Sequence, residues 1–377
     1  MENPELAQWL ALRRAGLGSQ NFSLLLSRFG TVATAWEAPI DEVGRAGLDA
    51  QFLRGFTKAR ATYEPERELA LLREAGAKAL TWLDAAYPAS LREIPQSPPV
   101  IFVRGTAGPD FPRAVAVVGT RRVTPYGRQA TETFCHALVD AGVAIISGLA
   151  HGVDAIAHRV AVERGGPTVA VLAGGIDKVY PKENVGLADR IREVGALVSE
   201  YPPGIPARPD YFPRRNRILS GLAQATLVIE AGAGSGALHT ANWAFEQGRD
   251  VFAVPGSVFS KQSEGTNQLI RESTAKLVAT PTQLCEELNL LHSGQQLPLE
   301  SPAPIAPLER PPAVTSPIAG LSDEEARLVA CLGGGSLHVD EVARELGSPV
   351  AAVSATLQIL ELRGKVRQVR PLVYASA

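Results

Sequence analysis

Two short segments of this 377-residue sequence contain closely spaced arginines. The first segment consists of Gly119, Thr120, Arg121 and Arg122. The second contains Arg208, Phe212, Arg214, Arg215, Asn216 and Arg217. Guanidinium groups make paired hydrogen bonds with phosphate oxygens, and aromatic rings beside them provide faces on which unstacked bases pack. The second segment therefore predicts contact with single-stranded nucleic acid, and the first predicts a phosphate site.

Each segment also has an alternative structural role. The arginines of the first segment would otherwise be solvated residues at the start of a helix. A cation there opposes the helix dipole, which favours a bound anion. Those of the second segment would otherwise form internal salt bridges with Glu200 and Glu230. Both roles hold together if different arginines fill them, so the sequence leaves this alternative open.

A glycine-rich turn, residues 232–237, follows an apolar run that ends beside Glu230. It includes Ser235 and Gly236 and fits the relaxed dinucleotide-binding pattern G-x-G-x-x-A. The acidic residue that would hold a ribose at the end of the next strand is missing, because that strand ends at Gly256. The P-loop pattern G-x-x-x-x-G-K-[ST] does not occur, which excludes a P-loop ATPase. We expect no nucleotide cofactor.

Three polar residues with helical spacing, His151, Asp154 and His158, share one face of a predicted helix. Two histidines and a carboxylate suit a metal ion, but no fourth ligand is identifiable. Helix capping and interface hydrogen bonding are the alternative roles, and they are favoured here. The nucleophile pattern G-x-S-x-G is also missing from the sequence. We therefore predict neither a metal site nor catalytic residues.

Five short apolar runs position these segments, and each ends in glycine or another small residue. The runs are residues 114–118, 144–147, 168–173, 226–231 and 251–255. Such runs are typical of parallel strands buried on both faces, and the stretches with helical spacing between the first four make βα units. The predicted fold is α/β, a Rossmann-like, doubly wound, mainly parallel sheet. Its strand ends would gather the arginine segments and Ser147 and Gly148 at one edge.

Further elements are expected on either side of these runs. Residues 78–82, 100–103 and 276–279 are predicted as extra strands, residues 281–290 as a closing helix, and residues 214–222 as a helix that follows the second arginine segment. The predicted domains are an N-terminal helical domain (1–72), a Rossmann-like DNA-binding domain (73–290), a proline-rich linker (291–318) and a winged-helix domain (319–377).

The N-terminal domain alternates helical stretches with glycine turns, as helix-hairpin-helix and SAM-like domains do. The first of these turns spans residues 16–18. Turn amides of this kind contact DNA phosphates in some proteins. Acidic and basic residues are nearly equal in number in this segment, however, so a structural packing role is favoured over DNA binding.

Three helices and a hairpin are predicted after the linker: residues 323–331, 339–346 and 350–363, then strands 366–369 and 372–374. The third helix contains no Lys or Arg between Val350 and Glu361, whereas a helix in the major groove needs phosphate neutralisation. Positive charge is confined to the wing, at Arg363, Lys365, Arg367 and Arg370. Protein contact or autoregulation is therefore favoured over base readout.

The overall composition predicts a cytoplasmic protein. Net charge is −2, so any basic surface must be local. Cys135, Cys285 and Cys331 are isolated, which fits a reducing compartment. The first ten residues lack the pattern of a signal peptide, and no apolar run is long enough to span a bilayer. We expect no membrane contact.

Motifs in a characteristic order resemble those of the DNA-processing protein A family (DprA/Smf). They are Val117-Val118-Gly119-Thr120-Arg121, Ser147-Gly148-Leu149-Ala150-x-Gly152-x-Asp154, Tyr180-Pro181, Phe212-Pro213-x-Arg215-Asn216-Arg217, Ser235-Gly236-x-Leu238-x-Thr240 and Ala253-Val254-Pro255-Gly256. The resemblance covers roughly residues 80–280. It departs from the family at Ser273-Thr274-Ala275, where a Gly-Ala pair is common, and at Ala237, where serine is frequent.

This resemblance implies a non-catalytic protein that binds and protects single-stranded DNA during natural transformation. It also implies loading of the RecA recombinase onto that strand and a homodimer built through the α/β domain. Carried over to this chain, the strand would contact the following residues: Gly119, Arg121, Ser147, Gly148, Phe212, Arg215, Asn216, Arg217, Ser235 and Gly236.

Two other functions stay open from the sequence. The α/β domain also resembles Rossmann-like families that cleave nucleoside monophosphates at the N-glycosidic bond, in which case Glu230 would serve as the catalytic carboxylate. The second of these hypotheses is a sequence-specific regulator that uses the terminal winged helix.

Overall fold

The computed structural model describes residues 5–62, 65–290, 322–370 and 372–376. The chain forms two compact units, Met1–Leu297 and Pro298–Ala377. Helices of the first unit are α1 (Leu6–Arg14), α2 (Ser19–Phe29), α3 (Val32–Glu37), α4 (Ile40–Gly44), α5 (Ala50–Thr62), α6 (Pro65–Glu74), α7 (Ala89–Arg92), α8 (Pro125–Asp140), α9 (Val153–Glu163), α10 (Val185–Val194), α11 (Tyr211–Gly221), α12 (Gly236–Glu246), α13 (Glu264–Arg271) and α14 (Pro281–Glu287). Its strands are β1 (Lys78–Thr81), β2 (Val100–Gly105), β3 (Ala114–Val118), β4 (Ala144–Ser147), β5 (Thr168–Val171), β6 (Ala196–Ser199), β7 (Ala225–Val228), β8 (Asp250–Ala253) and β9 (Lys276–Leu277).

One sheet contains all of these strands, in the order β1-β2-β6-β5-β4-β3-β7-β8-β9. The strands from β6 to β9 in this order are parallel, whereas β1 and β2 add an antiparallel edge. The chain moves outward from β3 to β6 and then returns to β7 on the other side of β3. This reversal is the switch point of a doubly wound fold, and the predicted fold class is confirmed.

The apolar runs form strands because both faces of the sheet are covered. Alternate residues of β3 point to opposite faces: Val115 and Val117 join one core cluster, and Ala114 and Ala116 join another. All five residues of β3 are buried. A strand buried on both sides has no polar face, which explains the unbroken apolar pattern.

Some strand limits differ from the prediction. The third, fourth and fifth runs end as strands at Val171, Val228 and Ala253, two or three residues early. The strand β6 was not predicted. It begins at Ala196, only two residues after α10 ends at Val194, so no turn segment in the sequence separates its apolar residues from those of the helix.

The N-terminal helices pack directly on the edge of the sheet domain. Trp9 in α1 stacks on Phe22 in α2, with ring centroids 5.0 Å apart. Trp82, which follows β1, meets Trp9 edge-on at 6.4 Å. These rings belong to one core cluster that also includes residues of β2, β5 and β6. The helical character and the packing role expected for this segment are therefore observed, and the boundary at residue 72 stays a prediction.

The second unit is a winged helix. It contains α15 (Asp323–Cys331), α16 (Val339–Leu346) and α17 (Val350–Leu362), with strands β10 (Leu337–His338), β11 (Val366–Arg370) and β12 (Val373–Ser376) in the order β10-β12-β11. The three predicted helices are found, and β10 is added to the predicted hairpin. Lys365 and Arg367 are exposed at the wing. The predicted linker, residues 291–318, lies outside the described residues.

Candidate nucleic-acid interface

An open cavity of about 750 Å³ lies at the switch point, between the chain segments that follow β3 and β7. We call it the switch-point cavity. Of the predicted site residues, those that line it are Gly119, Thr120, Arg121, Arg122, Phe212, Arg215, Asn216, Ser235 and Gly236. The structure therefore brings the first arginine segment, part of the second and the glycine turn to one place.

Backbone contacts hold the turn after β3 in a tight conformation. The N–H of Thr120 donates to the carbonyl oxygen of Glu230 at 2.7 Å, which ties this turn to β7. The hydroxyl of Thr120 accepts from the N–H of Arg122 at 3.1 Å. Gly119 has no space for a side chain, since an added Cβ would lie 2.5 Å from a methyl group of Val153. The turn thus presents backbone and arginine side chains to the cavity.

Arg121 and Phe212 lie side by side on the cavity wall. The guanidinium of Arg121 lies over the ring of Phe212, 5.2 Å from its centroid. On another side, the same ring meets Tyr180 edge-on at 5.7 Å. Among the described residues, neither Arg121 nor Arg122 has a carboxylate within ion-pair distance, and both are exposed. Two free cations beside an aromatic face suit the phosphates and bases of a single strand.

Arg215 faces the cavity from below but is buried, with only 4% of its surface exposed. Its guanidinium donates to the carbonyl oxygen of Gly148 at 2.9 Å and to that of Val171, and its Nε donates to the side chain of Asn216. Burial lowers the pKa of this guanidinium to about 10. These bonds give Arg215 a structural role, because it joins the ends of β4 and β5 to α11. A direct phosphate contact through Arg215 stays a prediction.

Arg217 points away from the cavity and pairs with Glu200. Its Nη2 lies 3.0 Å from a carboxylate oxygen of Glu200, and Arg13 of α1 approaches the same oxygen at 3.2 Å. All three side chains are largely buried. The internal salt-bridge alternative is therefore confirmed for Arg217 with Glu200, whereas Glu230 takes no part in it.

Arg208 and Arg214 are exposed and lie outside the cavity lining. Arg208 pairs with Asp210 at 3.3 Å and lies over the ring of Tyr211 at 5.5 Å. The helix α11 begins at Tyr211, three residues before the predicted start. Arg214, Arg215 and Arg217 lie inside the helix in the prediction and in the structure, and their spacing directs them to different sides.

The remaining predicted contacts hold neighbouring strands and helices together. Ser147 is completely buried, and its hydroxyl donates to the carbonyl oxygen of Val117 at 2.6 Å. The amide of Asn216 donates to the carbonyl oxygen of Gly236 at 3.3 Å. Ser235 caps α12, since its hydroxyl accepts from the N–H of Ala237. The N-terminus of α12 thus opens onto the cavity, which favours an anion there.

His158 and Asp154, two of the three residues considered as metal ligands, are buried beneath the cavity and make internal hydrogen bonds. Nδ1 of His158 lies 2.7 Å from the hydroxyl of Thr168, and Asp154 accepts from the N–H of Ala150. Burial and the charge of Arg215 lower the pKa of His158 to about 3, while burial raises the pKa of Asp154. His151 is exposed and apart from them. In the described ranges, no three His, Cys, Asp or Glu side chains converge as a metal site would require.

Glu230, the catalytic carboxylate of the nucleosidase alternative, is buried and accepts hydrogen bonds from Thr124. Only 1% of its surface is exposed. One carboxylate oxygen accepts from the N–H of Thr124 at 3.0 Å, and the other accepts from the Thr124 hydroxyl at 2.6 Å. Thr124 caps α8. The carboxylate is therefore part of a helix-capping network and does not line the cavity.

Several lining residues were not predicted as site residues. Tyr180 is exposed at the cavity wall, and its only sequence signal is its place in a family motif. Gln262 and His239 also line the cavity. Gln262 accepts from the Thr120 hydroxyl at 3.2 Å. Thr120 and Gln262 are 142 residues apart in the chain, so no local sequence pattern connects them. The folding of the chain brings the loop after β8 to the cavity.

The fold and the cavity define a Rossmann-like protein whose switch point carries the donors that suit an anion. Residues 78–289 match the family model described as DNA recombination-mediator protein A, and residues 310–370 match the DprA winged helix domain. The chain therefore belongs to the DprA family of DNA-processing proteins.

Relatives match along most of the chain. It is 38% identical over 379 residues to the putative DNA processing protein DprA of Mycobacterium tuberculosis, covering 97% of this chain and 92% of that one. Identity to Protein Smf of Escherichia coli is 36% over 319 residues, covering 81% and 82%.

Two solved structures are also similar. DprA from Streptococcus pneumoniae has a TM-score of 0.66 and 32% identity, covering 76% of this chain and 99% of that one. DprA from Helicobacter pylori, solved for its single-stranded DNA binding mode, has a TM-score of 0.52 and 28% identity, covering 56% and 95%. In the part of the chain that the structure describes, no helix is long and apolar enough to cross a bilayer.

Proposed function

We propose that this protein binds single-stranded DNA in the switch-point cavity and acts as a recombination mediator. The observation that carries this proposal is the unpaired guanidinium of Arg121 resting on Phe212 at the cavity mouth. A cation and an aromatic face side by side are the two elements that single strands require. The glycine turns add backbone donors, and the single-stranded DNA studied with the Helicobacter pylori relative is the same class of ligand.

The family description as a recombination mediator supports the cellular role that we propose. In this proposal the protein protects incoming single strands during natural transformation and helps to load RecA onto them. It acts in the cytoplasm as a homodimer formed through the sheet domain, without catalysis, a cofactor or membrane contact. The residues that would contact DNA directly are Arg121, Arg122 and Phe212. Arg215, Asn216 and Ser147 would support them from below.

The decisive experiment compares single-stranded and double-stranded oligonucleotides of one sequence by fluorescence anisotropy. We expect the single strand to bind more tightly than the duplex. Unlabelled single strand should displace the labelled single strand from the protein. Equal affinity for the duplex would contradict the proposal. Incubation of the protein with nucleoside monophosphates tests the nucleosidase alternative, and sustained release of free base would replace our proposal with that one.

A further inference from the structure

A second groove, with a volume of about 760 Å³, lies between the N-terminal helices and α11. We call it the hairpin groove. The turn that joins α1 to α2, residues 16–18, and the first turn of α2 form one wall. The other wall includes Tyr201, Tyr211, Arg214 and Arg217. The glycine turn of the N-terminal segment therefore faces α11, which also borders the switch-point cavity.

The charges that line the hairpin groove are positive in excess. The lining holds four arginines, Arg13, Arg14, Arg214 and Arg217, and two carboxylates, Glu200 and Asp49. The charge of Arg14 is compensated by Glu68, which lies 2.6 Å away outside the groove lining. The excess therefore comes from the other three arginines. Glu200 serves both Arg13 and Arg217. Asp49 accepts the N–H of Phe52 at the start of α5. The Arg214 side chain is exposed, with no ion pair among the described residues. Such an excess attracts phosphate groups.

Aromatic faces and a helix start complete the groove. Tyr201 and Tyr211 stack with ring centroids 4.1 Å apart, and Trp243 also lines the groove. Gly18 precedes α2 as its N-cap without a side-chain hydrogen bond, and the first turn of α2 carries no acidic residue. The free amides of an uncapped helix start add to the attraction that the arginines exert on an anion.

The hairpin groove and the switch-point cavity lie on different sides of α11. Phe212, Arg215 and Asn216 line the cavity, whereas Arg214 and Arg217 line the groove. A helix with its side chains is only about 10–12 Å across, so a few nucleotides would span it. We propose that the hairpin groove is a second subsite for the same DNA strand, which leaves the cavity over the first turn of α11. This inference rests on the proposed function.

The test places a negative charge in the groove without disturbing the fold. In a Gln20→Glu variant the new carboxylate lies in the first turn of α2, where it interacts favourably with the helix dipole. We expect unchanged or slightly raised thermal stability. Affinity would be measured with oligothymidylates of about six and about thirty nucleotides. Only the longer strand should bind more weakly, by about three- to tenfold, because only it reaches the groove.

Two further variants support the comparison. Arg214→Ala should act in the same way as Gln20→Glu and should lower the salt slope for the longer strand by about 0.7. Ser27→Glu adds the same charge to an exposed position at the other end of α2, outside the groove, and should leave both affinities unchanged.

Other results would overturn the inference in distinct ways. If Gln20→Glu and Arg214→Ala both bind the longer strand as tightly as the unaltered protein does, and the short strand still binds, the second subsite is refuted. The proposed function would then stand. Equal losses for both lengths would mean that the groove acts only through the cavity. A loss confined to duplex DNA would assign the groove to double strands instead. Failure of the short strand to bind the unaltered protein would refute the proposed function itself.

Discussion

Replacing Arg121 with alanine should weaken the binding of single-stranded DNA and reduce its dependence on salt. The Arg121 guanidinium is exposed and has no ion pair among the described residues, so its charge is available to a phosphate. Each phosphate contact to a single strand contributes about −0.7 to the slope of log K against log salt. If one contact is lost, the ratio of the affinity of the unaltered protein to that of Arg121→Ala should fall by about 2.6-fold when the salt concentration rises fourfold.

The fold should tolerate this change. The Arg121 side chain contacts the Phe212 ring, and an exposed cation–π contact is worth about 0.5–1 kcal/mol. The measurement is fluorescence anisotropy with a labelled oligothymidylate across a series of salt concentrations, beside urea denaturation of both proteins. Arg113→Ala is the matched control, because Arg113 is exposed immediately before β3, at the opposite edge of the sheet from Arg121.

Two results would refute this reasoning. A slope equal to that of the unaltered protein would show that Arg121 makes no phosphate contact. A similar loss in Arg113→Ala would show that general surface charge, not the switch-point cavity, attracts the strand.

Three further predictions test the cavity wall and the buried charges. Phe212→Ala should cost about 1–3 kcal/mol of binding free energy if a base stacks on the ring, and unchanged affinity in the anisotropy assay would make the ring a packing residue only. Glu200→Gln should lower the free energy of unfolding by about 3 kcal/mol in urea denaturation, because it leaves Arg13 and Arg217 buried without their carboxylate; a loss below about 1 kcal/mol would contradict this. The depressed pKa of His158 means that the unfolded chain takes up a proton below about pH 6.5 and the folded chain does not. Stability should therefore fall by roughly 1–2 kcal/mol more between about pH 7 and pH 5 than in a His158→Gln variant, and parallel pH profiles would refute the assignment.

The sequence predicted which segments meet at the candidate site better than how their side chains are oriented. Parallel strands buried on both faces leave a strong apolar signal, so the edge with Gly119 and Ser235 could be located without the structure. The direction of each arginine in the second segment depends on the helical phase of α11. The face of α11 that packs against the sheet directs Arg215 into the core, and Arg217 points toward Glu200. The sequence pattern alone does not identify that face.

Long-range partners account for the rest of what the sequence did not reveal. Glu230 was a candidate for ion pairing or catalysis, and its actual partner, Thr124, lies 106 residues away in the chain. Arg13 is 187 residues from Glu200, so no local pattern connects them. The strand β6 was missed for a different reason, since only one residue separates it from α10 and no turn segment marks its start.

The compensation of charge beneath the switch-point cavity determines how far its attraction reaches. Arg215 lies beside the Asp154 carboxylate and bonds to backbone carbonyl groups, so the long-range field comes from the cations at the mouth. At physiological ionic strength that field decays over a Debye length of about 8 Å. Under the proposed function, a strand would therefore be captured at short range and held by few ionic contacts. A competing DNA-binding protein would need to displace only those contacts to receive it.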